Sequence, residues 1–357
     1  MNTEDSRSIS MLRFPMAVLV ILLHADVICQ SKNTLIYNNG IGEFMITLCS
    51  NGVCQLAVPC FALISGYLFF GGLKDFSWPI WTEKIRRRVH TLLIPYVLWN
   101  TLALLWMVAY GYILHTCRGV DFSLSTVWND VGGVRFLWDG WCNLPVDGPL
   151  WYIRNLMLIV IFSPIIYVLI KKLKATGIAT LMFLYIFNIW PSWHWLLCQV
   201  VCMFAIGGYL RINCCSLICQ NTFANLLSLA VTLAALAIMV FSFNQHQKAY
   251  SIALHVFTLT GCLILFVVAD KLSVHQRFNT ILSTLGASSL FLYASHRFMV
   301  VDVIKTVLWS VLPIGNQYAL AGAYILLAVS TTAVCYGLYV IMQRFTPRVL
   351  SLLIGGR

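Results

Sequence analysis

Carboxylates are scarce in this 357-residue chain: 12 Asp and Glu stand against 23 Lys and Arg, and charged residues of both signs make up only 10% of it. Soluble domains carry about 25% charged residues, so a water-covered globular surface is excluded. The 13 cysteines include no C-x2-C pair, so no metal centre is expected. Low-complexity tracts, internal repeats and linkers long enough to set off a second domain are also missing, which predicts one domain over 1–357. No cleavable signal is expected at the start of the chain. Arg13 and Pro15 stand near the start of the first apolar run, and Ala25-Asp26-Val27-Ile28-Cys29 lacks the small residues of a cleavage site. The formal charge of +11 comes with no nucleic-acid motif, so no nucleic-acid partner is expected.

What fills the chain instead is apolar. Hydrophobic residues make up 60% of it and the mean hydropathy is +0.84, which marks a membrane protein. Apolar runs long enough to cross a bilayer fall near 10–28, 52–70, 91–114, 149–170, 175–190, 193–210, 223–243, 250–270, 283–304 and 318–342. The fold class expected is therefore all-α: a polytopic membrane helical bundle of about ten transmembrane helices. Basic clusters at Lys84–Arg88, Lys171–Lys174, Lys271–Arg277 and Arg344–Arg348 all fall on one side of that scheme. By the positive-inside rule this side is cytoplasmic, and so are both termini. Trp190, Trp193 and Trp195 form an interfacial aromatic belt at the turn after the fifth run. Cys214, Cys215 and Cys219 sit on the reducing side; Cys117 and Cys142, in the outer loop, are the candidate disulfide pair.

Because no extramembrane segment is large enough to hold an independent core, any chemistry must lie in or at the rim of the bundle. The first run holds both Arg13 and His24. An ionisable group inside a membrane helix costs a few kcal/mol and marks a candidate site. Eleven residues at about 100° come close to three turns, so Arg13 and His24 share one helix face about 16 Å apart. His296, in the ninth run, lies at a similar depth to His24. Near the inner end of the second run, Ser65 precedes Gly66, pairing a hydroxyl with a position where backbones approach closely. Arg86, Arg87 and Arg88 lead into the third run as a basic mouth suited to phosphates, or as an insertion signal and anionic-lipid contact. Arg154 stands just inside the outer end of the fourth run, placed either to meet an acceptor or to snorkel to the interface. His255 and His90 have ordinary structural readings.

Taken in order, these residues resemble the membrane acyltransferase-3 family of bacterial O-acyltransferases. The resemblance rests on Arg13-x10-His24, Phe61-x3-Ser65-Gly66-Tyr67-Leu68, Arg86-x-Arg88 leading to Pro95-Tyr96, Leu150-Trp151-Tyr152-Ile153-Arg154-Asn155-Leu156, and Ser289-Leu290-Phe291-Leu292-Tyr293-Ala294-Ser295-His296. Two departures are visible: Tyr67 stands where the family usually has Phe, and Arg297-Phe298 follows His296 where a Pro two residues later is common. The resemblance implies transfer of an acyl group, commonly acetyl, from cytoplasmic acyl-CoA to a hydroxyl of an extracytoplasmic or lipid-linked glycan, in the bacterial cytoplasmic membrane. Acyl-CoA would be a co-substrate, with no permanently bound cofactor; the glycan and membrane lipids would be the other partners. His24 is then the candidate general base, with a covalent acyl-His as a variant. Arg13, Ser65, Arg86 and Arg88 would bind donor or line its track, and Arg154 and His296 would serve the acceptor side or a secondary role.

Two other classes fit part of the pattern. A transporter or lipid-linked glycan flippase also buries a few ionisable groups, though it typically shows matched half-repeats, which are not found. A different membrane acyltransferase type, built on a His deep in the chain, would use His255 or His296 and leave Arg13 and His24 idle.

Overall fold

The computed structural model describes residues 3–26, 40–72, 75–139, 144–191, 196–243, 246–312 and 316–356. No strand element occurs among them. Helix α1 (Thr3–His24) is followed by α2 (Ile41–Ser50), which leads through a short 3₁₀ turn into α3 (Ala57–Phe69). Helix α4 (Trp78–Arg88) continues through a π-helical turn, Val89–Leu93, into α5 (Ile94–Arg118). Short α6 (Leu124–Asp130) lies in the loop beyond, before α7 (Trp151–Ile161) and α8 (Ser163–Ile186), which meet at a 62° bend. Then come α9 (Cys198–Ile212), α10 (Thr222–Ser242), α11 (Gln247–Ser273), α12 (Gln276–Gly286) and α13 (Ser289–Ser295). A second π-helical turn, His296–Val301, joins α13 to α14 (Asp302–Val311), and α15 (Gln317–Phe345) and α16 (Pro347–Ile354) close the fold.

Local sequence explains many of these boundaries. Asn221 and Asn316 cap α10 and α15, each side chain accepting from the backbone N–H three residues on, Ala224 and Ala319. Gly119, at φ 65°, takes the left-handed conformation that ends α5. Six of the described helical segments are long and apolar enough to cross a membrane, or seven if the bent α7–α8 pair is one span. The other expected runs fall on shorter or interrupted helices. Lys174, at φ 49° and ψ −132°, breaks α8 at the boundary expected between the fourth and fifth runs. The sixth run is the 15-residue α9, and the ninth is divided among α12, α13, the π turn and α14. Trp193, Trp195 and Cys142 lie outside the described residues.

Helix α1 is the hub, packing on α3, α11, α12, α13 and α15. It is unbroken through Pro15, so Arg13 and His24 keep the separation read from their spacing. Helices α3 and α9 approach closely. A Cβ on Gly66 would stand 2.0 Å from the Phe204 carbonyl oxygen, and one on Gly207 would stand 2.1 Å from that of Leu63. Small residues that let backbones touch are the usual means of helix association where water supplies no hydrophobic drive between helices.

Polar contacts pin the end of the bundle that bears Arg86–Arg88. Asp5, buried, accepts from the Tyr67 hydroxyl (2.5 Å), the Ser216 hydroxyl (2.7 Å) and the Leu217 N–H (3.1 Å). This accounts for Tyr in place of the family's usual Phe: the extra hydroxyl serves a buried carboxylate. Lys84 Nζ donates to the carbonyls of Phe69 (2.6 Å) and Gly71 (3.1 Å), capping α3. The Trp99 indole donates to Leu353 O (3.0 Å) and Gly355 lies against Thr91, which docks α16 on this helical run.

Gly207→Ala is expected to force α3 from α9 and to lower the midpoint for heat-induced loss of monodisperse protein in detergent, overpacking typically costing about 1–3 kcal/mol. Gly322→Ala, where nothing lies within 4 Å of the added carbon, should stay at the parent midpoint.

Candidate active site

Three cavities succeed one another through the bundle. The inner one, about 90 Å³, is lined by Phe61, Ser65, Arg88, Tyr152, Ser289 and Tyr293 among others. The middle one, also about 90 Å³, includes His24, Gln55, Pro59, Gln199 and Tyr293. The outer one, about 780 Å³, has His24, Trp106, Tyr110, Asp147, Trp151 and Arg297 on its walls. Tyr293 therefore separates the inner from the middle chamber, and His24, with Pro149 and Trp151, separates the middle from the outer. Trp106 lies 18 residues past Arg88 on the same helical run, roughly 27 Å along its axis, so the series spans much of the bundle's length.

Each wall is held by bonds that the local sequence makes possible. In the inner chamber the Ser65 and Tyr152 hydroxyls lie 3.2 Å apart, and the Phe69 ring lies 6.0 Å beneath the Arg88 guanidinium. The Tyr293 hydroxyl donates to Pro149 O, tying α13 to the turn that opens α7. Asn155 Oδ1 accepts from the Leu197 N–H (2.8 Å), fixing the start of α9. Arg154 is fully buried; it donates to Trp138 O, lies over the Trp138 ring and pairs with Asp139 at 3.6 Å. Arg154 and Asn155 thus fasten the loop and α9 around α7.

The outer chamber combines aromatic faces with unspent polar groups. Trp106 and Tyr110 stack at 6.0 Å between centroids with 16° between planes. Arg297 pairs with Asp302 at 3.1 Å. Asp147, in the outer loop just ahead of α7, is fully buried, and neither carboxyl oxygen has a hydrogen-bond partner among the described residues. Its backbone N–H donates to Asn100 Oδ1 (3.0 Å), whose own amide donates to Tyr96 O (2.8 Å). Burial, partly opposed by the nearby Arg297 charge, pushes the Asp147 carboxyl well above the usual carboxylate range.

His24 is the last residue of α1, and its ring lies 5.2 Å from that of His296, with 34° between planes. The structure thus brings together His24 and His296, which the sequence placed at similar depth, and gathers Ser65 with Arg88. Arg13, half-buried, sits beside Gly286 of α12 and lines none of the three chambers. Arg86 is exposed, as is Arg87, which pairs with Glu83 at 2.9 Å. His255 approaches Ile186 O (3.2 Å) and packs on the Tyr185 ring at 4.2 Å, away from the chambers. The sequence reading passed over Tyr152, Tyr293 and Asp147 as site residues. The two tyrosines lay inside quoted motifs; Asp147 was one acidic residue among several in a loop, its signal being only that it abuts the Gly148-Pro149 start of a span.

Asn100→Leu would leave the buried Asp147 N–H without its acceptor. The expected result is a thermal midpoint lowered by the equivalent of about 1–3 kcal/mol, with Thr101→Ala, exposed one residue away, near the parent value.

Among known proteins the chain is similar to the succinoglycan biosynthesis protein ExoH of Rhizobium meliloti (strain 1021). The two are 21% identical over 368 residues, covering all of this chain and 94% of that protein. No solved structure matches it. The acyltransferase domain family matches residues 6–340, a stretch that contains all three chambers, Asp147 and the His24–His296 pair, and the chain belongs to that family.

Proposed function

We propose that the protein moves an acyl group, acetyl in the simplest case, from acyl-CoA to a hydroxyl of a glycan or lipid-linked saccharide, with His24 as general base. One observation carries this reading: His24 is on the walls of both the middle and the outer chamber, so a donor reaching it through the Arg88 end and an acceptor reaching it through the large opposite chamber meet at one imidazole. Similarity to a protein named for succinoglycan biosynthesis supports a polysaccharide acceptor.

Arg88, with its side chain on the inner chamber, is the cation suited to the donor's phosphates; Arg86 and Arg87 add field at the mouth. The pantetheine arm then passes Ser65 and Tyr152. Since Tyr293 closes the way to the middle chamber, the arm requires that tyrosine to release Pro149 O. At His24 a neutral imidazole takes the proton of the acceptor hydroxyl as its oxygen attacks the thioester carbonyl carbon. The carbon–sulfur bond breaks, and the departing CoA thiolate takes the proton from the imidazolium. Hydroxyl and thioester go in; ester and free thiol come out. On the acceptor side, the Trp106–Tyr110 platform offers a face for a sugar ring, and the buried Asp147 carboxyl, its proton affinity raised by burial, offers hydrogen bonds to hydroxyls.

In proteoliposomes, His24→Ala is expected to insert and fold normally but to lose about 10²-fold or more in transfer. Near-normal turnover would remove the base assignment. Arg88→Gln should raise the KM for acyl-CoA severalfold, and Arg86→Gln should do so less and more salt-sensitively, because exposed charges are screened over about 8 Å at physiological ionic strength; equal effects would return the run to an insertion signal. With orientation set, acyl-CoA should work only from the face bearing Arg86–Arg88 and a glycan only from the face bearing α6. Reaction of both substrates from one face would overturn the trans-bilayer scheme.

A further inference from the structure

The role of His296 can be read from its two ring nitrogens. The side chain is fully buried. Nδ1 lies 2.8 Å from Tyr293 O and 3.1 Å from Leu292 O. Carbonyl oxygens only accept, so in the neutral ring Nδ1 carries the proton and Nε2 carries the bare lone pair. That Nε2 has no hydrogen-bond partner among the described residues. A buried acceptor left unpaired is disfavoured, and a group beside it that can donate is the His24 ring, 5.2 Å away between centroids. Two imidazoles joined edge to edge by an N–H···N bond of about 2.9 Å have centroids about 5 Å apart, so a small rotation of either ring completes the bond.

We infer that His296 is the positioning residue for His24: its Nε2 accepts the N–H of one His24 nitrogen, which fixes the tautomer and aims the other, lone-pair nitrogen of His24 at the hydroxyl to be deprotonated. The inference rests on His24 being the base. The backbone carbonyls of Leu292 and Tyr293 hold His296, and His296 holds His24. When His24 takes the hydroxyl proton, one N–H remains on His296 and the other faces the departing sulfur. An uncharged imidazole in this place orients the base without burying an anion in a helical bundle, where an unneutralised carboxylate is strongly disfavoured. Asp147 is the alternative orienting group on the same chamber, but among the described residues its oxygens make no hydrogen bond to either histidine. The π-helical turn that begins at His296 is a type of irregularity frequent at functional sites, and it sets the ring's approach to α1.

The test compares three substitutions in the full chain, reconstituted in proteoliposomes, with His24→Ala alongside. Glutamine carries its side-chain oxygen about where Nε2 stands. Asparagine keeps a donor near the Nδ1 position for the backbone carbonyls but has nothing at Nε2. His296→Gln should stay within about tenfold of the parent kcat; His296→Asn and His296→Ala should each lose about 10²-fold, with the KM for acyl-CoA unchanged. A merely structural role would instead favour His296→Asn over His296→Gln, and that order, or parent-like turnover by His296→Asn, overturns the proposal. Should His24→Ala prove active, the base assignment fails and this inference falls with it. If His24→Ala is inactive while His296→Asn is fully active, the base assignment stands and the positioning role alone is wrong. A measurement free of folding effects is the ¹⁵N spectrum of histidine-labelled parent protein. His296 should show a protonated Nδ1 and a bare Nε2; a protonated Nε2 in the neutral ring would overturn the proposal without any variant.

Discussion

Inside a helical bundle surrounded by hydrocarbon, a polar group that finds no protein partner has no water to fall back on, and this constraint sorts the side chains of the molecule. Most buried polar groups are spent on architecture. Asp5 is shared among Tyr67, Ser216 and Leu217; Asn155 holds Leu197 and Asn100 holds Asp147 by their backbone N–H groups; Arg154 is taken up by Trp138 and Asp139. The Asp147 carboxyl and His296 Nε2, like Ser8, Trp309 and Thr331, have no hydrogen-bond partner among the described residues, and these two bear on the outer chamber and on the ring of His24. Groups whose hydrogen bonding is left incomplete in such a medium are the ones available to a substrate or to a proton.

The same constraint explains why the helices are irregular where they are. Regular helices satisfy their own backbones and leave little space between close-packed neighbours such as α3 and α9. The chambers instead lie beside interruptions: the π turn after Arg88, the 3₁₀ turn Gly148–Leu150, the end of α1 at His24 and the π turn beginning at His296. Tyr293 draws on two of these features, since it lies one turn ahead of His296 and donates to Pro149 of the 3₁₀ turn, and it thereby separates the Arg88 chamber from the His24 chamber.

How far the site could be read from the chain depended on whether position along one element was enough. Arg13 and His24 share an unbroken helix, so their spacing translated directly into depth, although depth did not reveal that Arg13 would sit by α12 and outside the chambers. Arg86 and Arg88 looked equivalent as a motif. Two residues on a helix are about 200° apart, and one faces outward while the other reaches the inner chamber. Tyr67 looked like a departure from its family's pattern until Asp5, 62 residues away, gave its hydroxyl a partner.

The sequence by itself determined the all-helical class, the apolar segments, the family motifs and the axial order of Arg13 and His24, because hydropathy and helical period are local properties. The tertiary structure decided that His24 meets His296, that the Asp147 carboxyl is buried with no hydrogen-bond partner among the described residues, that Tyr293 stands between two chambers and that the ninth apolar run is broken into short helices. Those facts follow from which surfaces of distant helices fit together. Packing complementarity and helix irregularities that trade one hydrogen bond for another leave no periodic trace in the chain.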